Sequence, residues 1–225
     1  MNLSPLINQE GLSLTEKVYL SLKQDILSMD IKPGEYLIIG DIAKYYKLSR
    51  TPVREAIIML ENEGWVIQDK RRGAKVVAPS AKSIMDMLEL QMVLEGYVAY
   101  RAAELITDDD VLHLEKLLNT SEKYFSQGDY EQSRTVGDSF HKYIAKLLGN
   151  NRIQATIEQI QAHVDRVRPL IWHAGVAPLE ESTKQHREIL NAIKERDPIK
   201  AQKLMQRHTI WFEEILEPTL RNLLG

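Results

Sequence analysis

The chain has 225 residues, 44% hydrophobic and 27% charged, with a formal net charge of −3 and no cysteine. That composition can bury a core, and the missing cysteines exclude disulfides, thiolate catalysis and zinc ribbons. No apolar run approaches the roughly 20 residues of a membrane span and no signal peptide opens the chain, so a soluble cytoplasmic protein is expected. The net negative charge argues against a nucleic-acid binder until it is divided along the chain. Residues 40–75 hold 8 Lys and Arg against 5 Asp and Glu, whereas residues 81–225 hold 18 against 22. The positive charge is thus concentrated in one stretch of the N-terminal third.

In chain order, residues 1–12 lack sustained periodicity and read as a flexible arm. Leu14, Val18, Leu22, Ile26 and Met29 recur at helical spacing, with Ser13 or Thr15 as cap. Lys32, Pro33 and Gly34 make a turn, Tyr36 to Ile39 a short extended piece, and Asp41 caps a short helix from Ile42 to Tyr46. The next helix runs from about Arg50 to Gly64, with Ser49 or Thr51 at its start and Pro52 in its first turn. Val53, Ala56, Ile57 and Leu60 share one sector of it, and Arg50, Thr51, Arg54 and Glu61 the adjacent one.

A short helix, a tight turn and a second helix with two arginines near its N-terminus is helix-turn-helix order. Arginine reads guanine O6 and N7 through a bidentate fork, or grips a phosphate, and a helix of this kind fits the major groove. Beyond Gly64, two β-rich runs, Trp65 to Gln68 and Ala74 to Ala78, flank a basic turn from Asp69 to Gly73. This hairpin is a candidate wing, with Arg71, Arg72 and Lys75 suited to phosphate or minor-groove contact.

The Ser-Arg-Thr-Pro-Val-Arg-Glu-Ala run at 49–56 sits among Pro33, Gly34, Leu37, Ile42, Ala43, Leu48, Leu60, Gly64, Arg72, Gly73 and Val76. This pattern resembles the N-terminal domain of GntR-family bacterial transcription regulators. The resemblance implies a winged helix-turn-helix over residues 13–78, operator contacts from Arg50 and Arg54 supported by Ser49 and Thr51, and a wing glycine, Gly73, close to the DNA backbone. The chain departs from the pattern at Gly40, where some members carry arginine, and at Ile39, where an acidic residue is common.

Pro79 and Ser80 begin a linker over residues 79–82, and residues 83–225 read as all-helical. Thr107 with three following aspartates starts a second helix, Gly128 and Asp129 break it, and Gly149 and Asn150 end the third. A fourth runs from Ile153 to about Ile171 with Pro169 inside it; a fifth spans Leu179 to Lys194, and Asp197 and Pro198 start the sixth. Six helices without a strand pattern make a bundle, so the fold class is mainly α with one small β-hairpin wing.

Three of the six histidines, His141, His186 and His208, lie on separate helices of that bundle. Imidazoles converging from three helices could bind a divalent metal such as zinc or nickel, with Asp138 three residues before His141 as a fourth donor. The bland alternative is three histidines, each with one hydrogen-bond partner. His113, His163 and His173 are expected to have ordinary roles.

Asp138, Phe140 and His141, then Gly149 and Asn150, then His186 to Ile193, Asp197, Ala201, Met205 and His208, resemble the FCD effector domain of the FadR branch. Six helices are similar to its VanR-type subgroup. The resemblance implies a homodimer on an inverted-repeat operator in double-stranded DNA, located on the nucleoid when bound. It also implies a small-molecule effector, an organic acid, held in the helical domain with a metal. Metal-binding members carry an aspartate four residues before the first histidine, a position that is Gly137 here, so Asp138 or water would complete the shell. Their frequent arginine on the first effector helix aligns with Gln91, which together with Glu95 forms the candidate effector pocket. The rival classes are a helical metalloenzyme and a dimerising DNA-binding protein without effector. No histidine follows a glutamate at Glu-x-x-His spacing, and no Gly-x-Ser-x-Gly run is present, so an enzyme is not expected.

Overall fold

The computed structural model describes residues 2–69, 72–167 and 177–224. Two compact units divide at Met1–Pro79 and Ser80–Gly225.

In the first unit, α1 (Leu14–Leu27) opens on a capping box in which Ser13 accepts from Glu16 N and Glu16 returns to the Ser13 backbone. β1 (Tyr36–Leu37), α2 (Ile39–Tyr46) and α3 (Arg50–Asn62) follow, then β2 (Val66–Asp69) and β3 (Gly73–Val76). β3 is the central strand, antiparallel to both neighbours, with Leu37 opposite Ala74 and Gln68 opposite Ala74 on the other side. The core is built from the apolar faces of α1 and α3: Val18, Leu22, Ile26, Val53, Ala56 and Leu60 are fully buried, and Trp65 closes it. Beside that core, the Glu63 carboxylate accepts from Tyr19 Oη at 2.6 Å, Lys23 Nζ at 2.7 Å and Trp65 Nε1 at 2.9 Å. One half-buried acid therefore ties the end of α3 to α1 and to the start of the hairpin.

Two local readings need correction. Asp41 does not cap a helix from Ile42, because the N–H groups of both Asp41 and Ile42 already donate to Ile38 O at 3.1 Å. α2 therefore begins at Ile39, Asp41 lies in its first turn, and the extended piece stops at Leu37. Ser49 is the N-cap of α3 by position but makes no side-chain cap hydrogen bond. The N-terminal stretch, expected to be loose, has neither helix nor strand, yet it is tied down. Ser4 N and Ile7 N donate to Asp25 and Ser21 on α1, and Tyr45 and Tyr46 donate to the carbonyls of Leu3 and Ser4.

The second unit contains, among the described residues, α4 (Ala81–Leu105), α5 (Asp108–Ser126), α6 (Tyr130–Leu147), α7 (Asn151–Asp165), α8 (Ala177–Lys194) and α9 (Pro198–Leu224). Each helix from α4 to α7 begins with a side-chain cap, from Ser80, Thr107, Asp129 and Asn150. α7 stops at Asp165; the proposed continuation past Val167, Pro169 included, lies outside the described residues, as do the loop residues 174–176. α4 and α9 pack along each other, α5 packs on α6, and both α6 and α8 touch α4. The apolar core around Ala99, Leu118, Phe140, Ile189 and Met205 fills one end of the bundle, and Leu88, Val164 and Leu216 fill the other. Between them the helices bring polar side chains inward.

Candidate functional site

In the first unit, Arg50, Arg54 and Arg72 line one concave surface together with Tyr36, Ile38, Ile39, Gly40 and Gly73. Each has a structural reason to be there. α3 buries Val53 and Ile57, which turns Arg50 and Arg54 outward, and Gly40 leaves open the space beside which the Arg50 guanidinium lies. Arg72 stands over the Tyr36 ring, 5.9 Å from its centroid, and Tyr36 Oη donates to Asp69 at 3.3 Å. Among the described residues none of the three guanidinium groups is in an ion pair, so they face solvent as uncompensated cations. Ser49, Thr51 and Lys75 are exposed but outside this surface, with Lys75 reaching along Gly34, and Arg71 lies outside the described residues. Tyr36 and Ile38 escaped the sequence reading because only the β1–β3 pairing brings them to the arginines.

The second unit brings His141 on α6, His186 on α8 and His208 on α9 together. His141 Nε2 is 2.8 Å from His186 Nε2, which is 3.2 Å from His208 Nε2. Phe140 stacks on the His186 ring and Trp211 on that of His208, and both rings are more than nine-tenths buried. His208 Nδ1 is 2.8 Å from Gln185 Oε1, a carbonyl that only accepts. The Nδ1 proton therefore faces Gln185, and the Nε2 lone pair points into the cluster. His141 Nδ1 lies 3.5 Å from Glu95 Oε1, which orients that ring in the same sense.

Around the histidines lies a cavity of about 100 Å³, lined among others by Gln91, Glu95, Gly137, Asp138 and Thr209. Gly137 contributes space: a methyl group there would sit 3.6 Å from His186 Cε1 and 3.8 Å from Ser121 Oγ. Asp138 is turned one step around α6 and is paired with Arg134 Nη1 at 2.8 Å. On α4, Gln91 Nε2 donates to Glu95 Oε1 at 3.0 Å, and Thr209 Oγ1 approaches Glu95 Oε2 at 3.5 Å. Glu95 is 3% exposed. Burial alone would raise its pKa, but the adjacent His141 imidazole, the Gln91 amide and the more distant His208 hold the carboxyl below its usual range. Of the remaining histidines, His113 stacks on Tyr143, His163 is buried, and His173 lies outside the described residues.

This donor set can coordinate a divalent metal. Tetrahedral imidazole ligands about 2.0–2.1 Å from zinc stand about 3.3 Å apart, so the His141–His186 pair would spread by about half an ångström and the His186–His208 pair is already near that spacing. Three imidazoles, two of them with an acceptor behind the ring, beside a buried carboxylate, suit zinc or nickel better than the oxygen-seeking magnesium or calcium.

Comparison with known proteins agrees with this division. The family described as "Bacterial regulatory proteins, gntR family" matches residues 14–76, and the FCD domain matches residues 86–210. The HTH-type transcriptional repressor RspR of Escherichia coli strain K12 is 29% identical over 195 residues, 87% of this chain and 85% of its own length. An HTH-type transcriptional regulator from an unstable DNA locus of Streptomyces ambofaciens is 31% identical over 192 residues, 85% of this chain and 80% of its own. Among solved structures, E. coli McbR/YncC superposes with a TM-score of 0.73 at 24% identity, covering 92% of this chain and 98% of that one.

Proposed function

The chain belongs to the GntR family of bacterial regulatory proteins, with an FCD domain within its second unit, and from that premise we propose a one-component sensor. It is a DNA-binding transcription regulator and not an enzyme. In this reading it is a repressor of the FadR branch, in the six-helix VanR-type subgroup. Residues 13–78 read an inverted repeat as one half of a homodimer. Residues 83–225 hold a small organic acid beside a divalent metal, and occupancy of that site changes operator affinity.

The observation that carries this reading is the presence, in one chain, of a three-arginine concave surface and a cavity with three convergent imidazoles. Arg50 and Arg54 at the start of α3 suit base edges in the major groove, while Arg72 and Lys75 suit the phosphate backbone. One such module makes too few contacts for operator affinity, so symmetry supplies the second half-site. α4 offers a face for that symmetry. Leu90, Val93 and Tyr97 are exposed and fall within about 60° of one another, on a different side of the helix from Gln91 and Glu95.

His141, His186 and His208 would hold the metal, whose contribution when bound is a Lewis-acidic seat for an oxygen of the effector. Gly137 leaves room beside His186 for that oxygen, and Gln91 and Glu95 close the α4 side.

The test starts from DNA selected out of the genome by the purified protein. Operator should bind far more tightly than a scrambled sequence of equal length, and metal analysis should find close to one zinc or nickel per chain, absent in His186→Ala. Equal affinity for both DNAs defeats the specific-reader reading. A metal-free preparation whose melting temperature does not rise with added zinc or nickel defeats the metal reading.

A further inference from the structure

Glu95 is a buried carboxylate whose charged surroundings, among the described residues, are imidazoles alone. Its hydrogen-bonding neighbours are the neutral Gln91 amide and Thr209 hydroxyl, and no lysine or arginine among the described residues reaches it. A lone buried carboxylate costs several kcal/mol unless something positive lies close by. The group facing it is the outer nitrogen of His141, whose inner nitrogen belongs to the three-imidazole cluster. Gln185 has the same relation to His208, a carbonyl oxygen 2.8 Å from Nδ1 while Nε2 faces the cluster. Two of the three imidazoles are thus backed from behind by an acceptor, one charged and one neutral, from α4 and α8.

We infer that Glu95 and Gln185 are positioning residues of the metal site. They fix the tautomers that aim the Nε2 lone pairs of His141 and His208 inward, and Glu95 supplies from α4 a negative charge that Asp138 on α6, already paired with Arg134, does not. This rests on the metal reading above and adds to it where the site's charge comes from. Three neutral imidazoles around a divalent ion leave two buried positive charges, and Glu95 cancels one of them at the distance of a single ring. Asp138 does not fill that role, because it is spent on Arg134. An outer acceptor also makes the imidazole a better donor, and its removal commonly weakens metal binding by about 10–100-fold.

Glu95→Gln keeps size and an acceptor oxygen but removes the charge. Zinc affinity, measured by competition with a chromogenic chelator, should fall about 10–100-fold. The chelator-stripped variant should keep the wild-type far-ultraviolet circular dichroism spectrum, so that the loss is read at the metal and not in the fold. Gln185→Leu should weaken zinc less than Glu95→Gln does, since it removes a neutral acceptor, and cobalt-substituted protein should show a changed visible spectrum in both variants. A purely structural Glu95 would lower the melting temperature of both forms and leave the affinity ratio near one, and that result overturns the inference. Zinc bound equally by wild type and Glu95→Gln also overturns it while leaving the three-histidine site intact; wild type that binds no zinc overturns the metal reading itself.

Discussion

Gly73 offers the sharpest test of how the wing is built. The family resemblance assigns this glycine to close approach of the DNA backbone, but the fold gives it a reason of its own. Its φ is +102°, and a Cβ there would stand 2.6 Å from the carbonyl oxygen of Leu37 and 3.5 Å from its carbonyl carbon. Those are backbone atoms of β1, which pairs with β3 through Leu37 opposite Ala74, so no rotamer change can yield. Gly73→Ala thus carries a positive-φ cost of about 1–2 kcal/mol and an overpacking cost of about 1–3 kcal/mol.

Gly64→Ala is the internal control. Its φ is +79°, but nothing lies within 4 Å of the added methyl, so it carries the conformational cost alone. For a unit of this size 1 kcal/mol shifts the melting temperature by roughly 4–8 °C. Gly73→Ala should therefore melt at least about 8 °C below wild type and clearly below Gly64→Ala, with hydrogen exchange locating the loss in residues 36–76. Full stability in Gly73→Ala with operator binding abolished would refute this reasoning and leave DNA approach as the glycine's only role.

Other outcomes follow from the same geometry. Arg54→Ala should cost about 1–3 kcal/mol on operator and little on scrambled DNA, whereas Arg72→Ala should weaken both and reduce the salt slope by about one; a gel-shift salt series separates them. Glu63 is pulled upward by burial but held below the usual carboxylate pKa by hydrogen bonds from Lys23, Tyr19 and Trp65. Its contribution is therefore fully present above the unfolded-state value of about 4.3 and is lost as pH falls through the lower folded value. Wild type should lose more stability than Glu63→Gln as pH is lowered from about 5 to about 3, and parallel urea curves would contradict this. Val93→Glu places a charge in the exposed apolar stripe of α4 and should shift sedimentation toward the 25.9 kDa monomer without lowering helix content; an unchanged dimer would move the interface elsewhere.

Legibility in the sequence followed the distance along the chain over which each feature is built. The arginine helix and hairpin form from neighbouring residues, so periodicity, a proline in the first turn and a glycine after the last were enough to place them. Helices α5 to α7 were legible for the same reason: Thr107 announces the start of α5, and the breaks read at Asp129 and Asn150 prove to be the N-caps of the next helices, α7 starting at Asn151 and not Ile153. The tether of the N-terminal stretch was not. Asp25 and Ser21 look like solvent-facing residues on α1 and are buried only because an aperiodic segment lies over them.

The histidine cluster joins positions 45 and 22 residues apart, so spacing alone could offer it only as one arrangement among many. Its supporting residues are harder still to see. Glu89 and Glu95 both follow a leucine on α4, yet one is exposed and the other is 3% exposed against His141. Helical periodicity separates such residues when a helix has one apolar face and one polar face. On α4 the exposed Leu90, Val93 and Tyr97 blur that division, although Glu95 shares the rotational sector of the buried Ile84, Leu88 and Ala102, and Glu89 that of the exposed Lys82 and Asp86. Rotation alone turns Glu95 inward but does not say what it meets there. What distinguishes Glu95 is the set of helices packed around it, and that is fixed only when α6 and α9 bring His141 and Thr209 to it.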